Sequence, residues 1–340
     1  MKKNKLSSKA HLLISLRKKQ GKPASGSLLA KEIGITRVAV WKTVQSLVEA
    51  GYSIETTEKG YLIEPKNEKD FLYPWEFGEN EKLFFHYKNT GSTMDKAREL
   101  ALRGVDSGSV ITAEKQSAGR GRNGRTWVSR QGGLFFSILE RPHLTIADYS
   151  LLSMVMQIAV TRSISSICGK KAYLRWPNDI YIDRRKVAGV TSEISGEGDF
   201  INWLTGGIGV NVNNTVPSGK AVSCSEILKQ QISRKKILIK ILKEIEVVKK
   251  TFSSTAVYSQ GNRALASEWN SLADSIGAKT AVFEPENKDD NSIEKPGKIL
   301  ARGIFQGIDP VGRCILKTEK GTLYFNQGSV SLAFLNSGNL

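Results

Sequence analysis

Apolar residues near the start of the chain recur at helical spacing in three successive stretches. The stretches HLLISLRKKQ, SGSLLAKEI and TRVAVWKTVQSLVEA each predict an amphipathic helix. Ser25 or Ser27 can cap the second helix, Gly34 ends it, and Thr36 can cap the third. The positions of the third helix that are predicted to face inward are Val38, Val40, Val44 and Leu47.

The segment that follows, YSIETTEKGYLIEP, alternates as two short strands around a turn at Glu58, Lys59 and Gly60. Helices joined by a glycine turn and followed by a β-hairpin are typical of a winged helix-turn-helix domain, which we predict over residues 1–65. The third helix of such a domain enters the DNA major groove, and the excess of Lys and Arg over acidic residues favours phosphate contacts. A winged helix that binds another protein is the alternative. The side chains predicted to contact DNA are Thr36, Arg37, Trp41, Lys42 and Ser46.

The pattern then changes to that of an α+β domain. Residues 66–80 mix charge, Pro74 and aromatic side chains, which predicts a linker that docks onto the next domain. From residue 81, apolar strands are predicted at EKLFFHYKN, SVITAEKQ, GLFFSILE and FINWLTGGIGV. Helices are predicted at GSTMDKARELALRG, SLLSMVMQIAVTRSISSI and ILIKILKEIEVVKKTF. The stretch AYLRWPNDIYIDRRKVAGVTSEIS predicts a hairpin with its turn near Asp183.

Composition and charge narrow the class of protein. The chain has 340 residues, 40% of them hydrophobic, with a net charge of +17 and a pI near 9.7. A basic excess favours nucleic acid, phosphorylated ligands or acidic partners, with a lysine-rich surface as the plain alternative. The cysteines and histidines are scattered, which favours reduced thiols over a disulfide or metal site. No signal peptide and no membrane-spanning apolar segment are predicted, so we expect a soluble, cytoplasmic protein without a membrane partner.

The loop from Gly119 to Trp127, GRGRNGRTW, combines backbone freedom with permanent positive charge. Glycine lets the chain approach a ligand closely, and the guanidinium fork of arginine matches carboxylate and phosphate oxygens. The loop has neither the G-K-[ST] of a P-loop nor the helix start of a dinucleotide-binding fingerprint. Its composition alone leaves open an anion clamp and a solvated basic turn.

Three motifs together resemble one enzyme family. GRGRNGRTW, RWPNDIYIDRRKVAG and GGIGVNVNN, in this order behind a winged helix, resemble the biotin protein ligases, and among them the bacterial bifunctional form that is also the biotin operon repressor. The resemblance covers nearly the full chain, because GIFQGIDPVGRCILKTEKGTLYFNQGSVSL resembles the family's small C-terminal barrel. It implies an α+β multidomain chain. The winged helix would be followed by a mixed-sheet ligase domain of the biotin/lipoate ligase type at 81–270 and an SH3-like β-barrel at 271–340. Within that barrel, the acidic, polar stretch EPENKDDNSIEKPG is expected to form a surface loop.

The resemblance also implies a reaction and its partners. Family members join biotin to ATP, giving biotinyl-5′-AMP and pyrophosphate, and pass the biotinyl group to an acceptor lysine of a biotin carboxyl carrier protein. Mg²⁺ is expected on the leaving pyrophosphate. The adenylate-loaded form is expected to bind operator DNA as a homodimer.

The resemblance assigns roles to individual residues. Hydroxyl and amide groups suit the neutral ureido ring of biotin, and glycines leave room for a ligand beside a strand. The positions that match the family's biotin site are Ser92, Thr93, Gln116, Gly119, Arg120, Gly207, Gly209 and Val210. The positions that match its ATP and adenylate site are Arg122, Arg125, Trp127 as the adenine-stacking ring, and Asn211. Lys186 matches a lysine of the same motifs, and no metal ligand is assigned.

The sequence departs from the family pattern at a catalytic position. The usual K-W-P-N-D is R-W-P-N-D here, so Arg175, together with Arg122, takes the catalytic role at biotin's carboxylate and the α-phosphate. Arginine keeps the charge but is larger, planar and more weakly hydrated than lysine. The alternative is a DNA-binding regulator that senses biotin or its adenylate with weak or absent ligase activity. A lipoate ligase shares the central fold, and the Ser92–Thr93 pair with Gln116 favours biotin over lipoate.

Overall fold

The computed structural model describes residues 6–64, 66, 69–217, 219–253, 258–284 and 298–334. Contacts divide the chain into two units, Met1–His86 and Tyr87–Leu340. The predicted winged helix and linker lie in the first unit. The predicted boundary between residues 270 and 271 lies inside the second unit and stays a prediction.

Small polar side chains start the helices of the first unit. The Ser25 hydroxyl accepts the Leu28 N–H at 3.1 Å, and the Thr36 hydroxyl accepts the Ala39 N–H at 3.1 Å. Gly34, at φ 77°, ends the second helix in the left-handed conformation that glycine adopts without strain. The elements span Ser8–Lys18 (α1), Gly26–Ile33 (α2), Arg37–Glu49 (α3), Ile54–Thr57 (β1) and Gly60–Ile63 (β2). β1 and β2 pair antiparallel, so the predicted helices and hairpin are present.

The third helix differs from its prediction at one inward position. The residues of α3 that are buried in the helical core are Val40, Val44 and Leu47. Val38 is 62% exposed, and Trp41, three residues later, is 52% exposed. Side chains at this spacing lie on the same side of a helix, so Val38 belongs to the outer face with Trp41. Its predicted inward position is wrong.

The predicted linker contributes to the core of the first unit. Residues of this segment that pack against the helical core are Phe71, Tyr73 and Trp75. Glu76 lies in the 3₁₀ segment that follows, and its carboxylate accepts hydrogen bonds from Tyr52 at 2.6 Å and Arg17 at 2.8 Å. The sequence predicted that this segment would dock onto the domain that follows. These side chains instead complete the helix-turn-helix core.

The second unit is built on a sheet with the strand order β3-β4-β5-β9-β8-β7-β6. The strands span Phe84–Thr90 (β3), Ser109–Gln116 (β4), Leu134–Glu140 (β5), Tyr173–Arg175 (β6), Asp179–Ile182 (β7), Arg185–Glu197 (β8) and Phe200–Val210 (β9). From β4 onward, neighbouring strands pair antiparallel. The sequence predicted a single hairpin where β6, β7 and β8 form a three-stranded meander.

One long helix forms the core behind this sheet. The helices of the unit span Thr93–Leu102 (α4), Tyr149–Cys168 (α5), Cys224–Leu228 (α6), Arg234–Ser253 (α7) and Tyr258–Leu272 (α8), of which α6 and α8 were not predicted. α5 packs against α7, α8 and β8. By length and composition α5 could cross a membrane, contrary to the sequence expectation, but 72% of its apolar window is buried. It is therefore the core helix of this unit.

A smaller antiparallel sheet ends the described chain. Its strands span Lys279–Phe283 (β10), Ile299–Ile308 (β11), Cys314–Thr318 (β12), Gly321–Phe325 (β13) and Ser331–Phe334 (β14). Their order is β13-β12-β11-β10-β14, and Phe305 and Leu316 are fully buried between them. The predicted surface loop EPENKDDNSIEKPG lies, after its first residue, outside the described residues.

The core of the second unit contains a buried hydrogen bond that is open to test. Trp269 Nε1 donates to Gln157 Oε1 at 2.7 Å, and both residues are fully buried. Gln157→Leu would leave the indole N–H without a partner, at a cost of about 1–3 kcal/mol. Because 1 kcal/mol shifts the Tm of a unit of this size by roughly 2–4 °C, calorimetry is expected to show a clear drop.

Two further variants check the cause of that drop. Adding Trp269→Phe to Gln157→Leu removes both polar partners and is expected to recover part of the lost stability. Gln230→Leu, at an exposed glutamine, is the matched control and is expected to leave the Tm unchanged. A drop that Trp269→Phe does not reduce would show that the hydrogen bond is not the cause.

Candidate active site

A cavity of about 510 Å³ lies between the large sheet, the glycine-arginine loop and β14. Its wall includes Gly207 and Gly209 of β9 and Gly189 of β8, and Gly189 pairs with Gly209 across the strands. A Cβ on Gly209 would lie 2.5 Å from Cε2 of Trp127, and one on Gly207 would lie 2.6 Å from Sδ of Met94. Carbon contacts are normally about 3.5–4.0 Å, so only glycine lets these groups pack directly on the strand.

Hydroxyl and amide groups line one side of the cavity and are already hydrogen-bonded to one another. The Thr93 N–H donates to Gln116 Oε1 at 2.7 Å, and Ser137 Oγ donates to Thr93 Oγ1 at 2.9 Å. Ser92 Oγ accepts the Met94 N–H at 3.2 Å and so caps α4. Ser92 and Thr93 are 2% and 3% exposed. This preorganised group suits a neutral ligand head with both donors and acceptors.

Backbone hydrogen bonds close the glycine-arginine loop on itself. The Trp127 N–H donates to Gly119 O at 2.8 Å, and the Gly121 N–H donates to Arg125 O at 2.7 Å. A Cβ on Gly119 would lie 2.5 Å from Trp127 O, so this glycine is required by the loop's own closure. Arg120 Nη2 lies 2.6 Å from Asp95 Oδ1 on α4, which ties the loop to that helix.

Arg122 carries a charge that the surrounding protein does not fully satisfy. Its Nη2 atom is buried and has no hydrogen-bond partner among the described residues. Burial lowers the pKa of the guanidinium from its ordinary value, while Tyr149 and Asp179 act in the opposite direction. Arginine stays protonated despite such a shift, so Arg122 presents a partly desolvated cation to the cavity.

Two further cations line the cavity, each held by an acid. Arg175 Nη2 lies 2.7 Å from Asp274 Oδ2, and Lys186 Nζ lies 2.6 Å from Asp179 Oδ1. Lys186 Nζ also lies 5.1 Å from the ring centroid of Trp127, and the buried Trp127 Nε1 has no hydrogen-bond partner among the described residues. The cationic side of the cavity therefore faces the hydroxyl and amide side. Such a site can hold an anion next to a neutral polar ring.

The cavity brings together most of the residues predicted for the site. The predicted residues in its lining are Ser92, Thr93, Gln116, Arg120, Arg122, Arg125, Trp127, Arg175, Gly207 and Gly209. Gly119, Val210 and Asn211 lie outside the lining. Val210 is fully buried, and Asn211 Oδ1 accepts a hydrogen bond from Asn214 at 3.1 Å, so both support the end of β9.

Comparison with known proteins gives this cavity a context. The biotin/lipoate A/B protein ligase family model matches residues 87–213, an HTH domain model matches 9–62, and the biotin protein ligase C-terminal domain model matches 292–333. The bifunctional ligase/repressor BirA of Bacillus subtilis is 32% identical over 230 residues, which cover 64% of this chain and 71% of that protein. This chain belongs to the bifunctional biotin protein ligase/repressor family. The predicted family and fold class are confirmed.

Two more relatives span larger shares of the molecule. The protein of the same name from Escherichia coli is 27% identical over 323 residues, 91% of this chain and 92% of that protein. The structure of a biotin protein ligase from Aquifex aeolicus in complex with biotin and ATP superposes with a TM-score of 0.59 at 28% identity. That match covers 74% of this chain and 99% of the Aquifex chain.

Sequence reasoning missed several residues of this ligase-family cavity. The missed lining residues that matter most are Asp179, Tyr181 and Phe334. Asp274, which pairs with Arg175, was also missed, because it lies 99 residues away in the sequence. The strand pattern offered one signal: Asp179 pairs with Arg175 across β6 and β7. Nothing in the sequence pointed to β14 or Asp274.

The candidate DNA-binding face lies on α3 of the first unit. Thr36 caps the helix, Arg37 and Lys42 are exposed, Trp41 is 52% exposed, and Ser46 is half-buried. Lys42 and Arg37 carry the positive charge of this face. A helix that exposes cations and a large ring has the composition expected for contact with the phosphates and bases of DNA.

Trp127 is expected to hold the glycine-arginine loop against β9. Gly209→Ala adds a methyl group where the indole packs, so Trp127 must move by about 1 Å. We expect faster amide hydrogen exchange over residues 119–127, measured by mass spectrometry. Gly91→Ala is the control, since a Cβ there would meet nothing within 4 Å. Unchanged exchange in Gly209→Ala would mean that the indole contact does not order the loop.

Proposed function

We propose that this chain is an ATP-dependent biotin–protein ligase that also acts as a biotin-responsive transcriptional repressor. Family membership and the presence of helix-turn-helix and ligase domains in one chain support both activities. The observation that carries the ligase activity is the cavity, in which buried hydroxyl and amide groups face a set of cations. A neutral ring with a carboxylate tail fits those two sides.

The first step joins two anions. A carboxylate oxygen of biotin attacks the α-phosphorus of ATP, which is supplied as its Mg²⁺ complex, and pyrophosphate leaves as biotinyl-5′-AMP forms. Positive charge placed at the reacting oxygens lowers the barrier, and so does holding both reactants at attack distance. We assign this role to Arg122 and Arg175, with Arg125 near the phosphates. All three line the cavity.

The ligand is proposed to follow the chemistry of the lining. Ser92, Thr93 and Gln116 are assigned to the ureido ring of biotin, with Gly207 and Gly209 beside its fused rings. Trp127 is assigned to the adenine, with Lys186 over the indole. The loop at Gly119 and Arg120 is assigned to closure over biotin, and Val210 and Asn211 support the strand end behind it.

The second step transfers the biotinyl group. The ε-amine of a lysine on a biotin carboxyl carrier protein attacks the acyl carbon, and AMP leaves. The described residues contain no cluster of three or more His, Cys, Asp or Glu that would hold a metal by itself. Mg²⁺ is therefore written as part of the substrate, since this ion is commonly bound through phosphates and few protein ligands.

One observation favours a second candidate function. The charge of Arg175 is engaged by Asp274 at 2.7 Å, which would weaken its action on a ligand. A regulator that binds biotin or its adenylate without efficient turnover would have this arrangement. The buried, unpartnered Nη2 of Arg122 argues against it, because a cation kept in that state suits a developing charge.

The repressor activity requires linkage between ligand and DNA. Loading with adenylate is proposed to favour a homodimer, and the dimer to bind operator DNA in the cytoplasm. A ligand shifts such an equilibrium only by its difference in affinity for the two states. Adenylate must therefore bind the dimer more tightly than the monomer.

Biotin-dependent exchange of labelled pyrophosphate into ATP tests the adenylation step. The unmodified protein is expected to catalyse exchange with biotin and not with lipoate. Arg122→Gln is expected to lower exchange about 100-fold, the usual scale for losing a group that stabilises developing charge. Arg103→Gln, at an exposed arginine, is the control. Exchange with lipoate in place of biotin would reassign the substrate, and no exchange with either would remove the ligase proposal.

DNA binding is tested by gel shift on sequences selected from a random pool. Affinity is expected to rise when biotin and MgATP are added together. Lys42→Ala is expected to weaken binding and to reduce the slope of log affinity against log salt by about 0.9. Lys240→Ala, a basic residue of α7, is the matched control. Equal affinity with and without the two ligands would contradict biotin-responsive repression.

A further inference from the structure

Arg175 is held in place from two directions. It ends β6 at the edge of the large sheet, and its guanidinium carbon lies 4.1 Å from the ring centroid of Tyr181. The ring of Phe334 on β14 lies 5.7 Å away. A planar cation stacks well on an aromatic face, so these rings fix the plane of the guanidinium.

Asp274 occupies only one edge of that guanidinium. Arg175 Nε donates to Asp274 Oδ1 at 3.4 Å, and Nη2 donates to Oδ2 at 2.7 Å. No hydrogen bond of Nη1 is found among the described residues. Side-on pairing of this kind leaves the end of the fork, with Nη1, available for a second anion.

Asp274 is itself anchored to the strand that carries Arg175. Its backbone N–H donates to Leu174 O at 3.4 Å, and Ala273 forms a parallel bridge with Leu174. The Arg175 and Asp274 side chains are 26% and 20% exposed. The carboxylate is therefore tied to the backbone of β6 and partly shielded from water.

We propose that Asp274 is a positioning residue for the adenylation step, which aims the free end of Arg175 at the carboxylate of biotin and the α-phosphate of ATP. The inference rests on the proposed ligase function and adds a residue to it. It also gives a reason for arginine at position 175. A guanidinium serves Asp274 with one edge and a ligand with its end, whereas the single ammonium of a lysine would be drawn to the carboxylate.

The geometry predicts opposite effects of one change in two backgrounds. In the unmodified protein, Asp274→Asn releases the guanidinium, and we expect kcat of biotin-dependent pyrophosphate exchange to fall about tenfold with smaller changes in KM for biotin and MgATP. In Arg175→Lys, the same Asp274→Asn change is expected to raise kcat, because it frees the ammonium from a competing acid. A merely structural role of Asp274 would lower exchange in both backgrounds.

Control variants separate positioning from folding and from surface charge. Asp183→Asn removes the acid of an exposed ion pair with Lys170, at a φ of 48° that asparagine tolerates, and is expected to leave exchange unchanged. Tyr181→Phe keeps the stacking ring and is expected to retain exchange, whereas Tyr181→Ala is expected to lower kcat. Calorimetry of each variant shows whether it folds.

Each result has a distinct meaning. Exchange that falls with Asp274→Asn in the unmodified background and rises with it in Arg175→Lys supports the inference. Exchange that is unaffected by Asp274→Asn, or that falls in both backgrounds, overturns it while the ligase function stands. No biotin-dependent exchange in the unmodified protein overturns the ligase function and the inference together.

Discussion

Like charges repel when they are brought into one partly buried cavity, and the candidate active site depends on how that repulsion is managed. The cations in its lining are Arg120, Arg122, Arg125, Arg175 and Lys186. Acids hold three of them in place: Asp95 pairs with Arg120, Asp274 with Arg175, and Asp179 with Lys186, at 2.6–2.7 Å. Arg122 keeps a buried nitrogen without a partner among the described residues. The cations are thus fixed in position while their combined charge still favours the meeting of two anions, as adenylation requires.

The glycines of β9 serve the fold and the site at once. Successive residues of a strand face opposite sides of a sheet, so Gly206 faces α5 while Gly207 faces the cavity. A Cβ on Gly206 would lie 2.7 Å from Cε of Met156, and one on Gly207 would lie 2.6 Å from Sδ of Met94. Both the core helix and the ligand side therefore approach the backbone of this strand closely. The close approach that packs the core also places the loop and Trp127 against the sheet.

The sequence predicted what depends on local chemistry and missed what depends on distant contacts. Ser25 and Thr36 cap their helices because the side chain and the N–H that it accepts are neighbours in the chain. Val38 was misplaced because helical spacing alone does not say which apolar residues lie at the edge of a buried face. α8 was missed because its burial depends on pairing with α5, as in the Trp269–Gln157 hydrogen bond between residues 112 apart. Asp274 was missed for the same reason, since no local pattern links it to Arg175.

Arg122 connects the chemistry of the cavity to the order of the loop that carries it. A buried cation without a partner destabilises the arrangement that holds it, and an anion that reaches it offsets that cost. Ligand binding would therefore stabilise the loop in the conformation that presents Arg122 and Arg120. Arg120 in turn lies near Asp95 of α4 and Glu193 of β8, so ordering of the loop extends to groups at 38–47% side-chain exposure on α4 and the loop itself. A repressor needs this kind of link, because a bound ligand acts on a distant equilibrium only through a difference between loaded and unloaded surfaces.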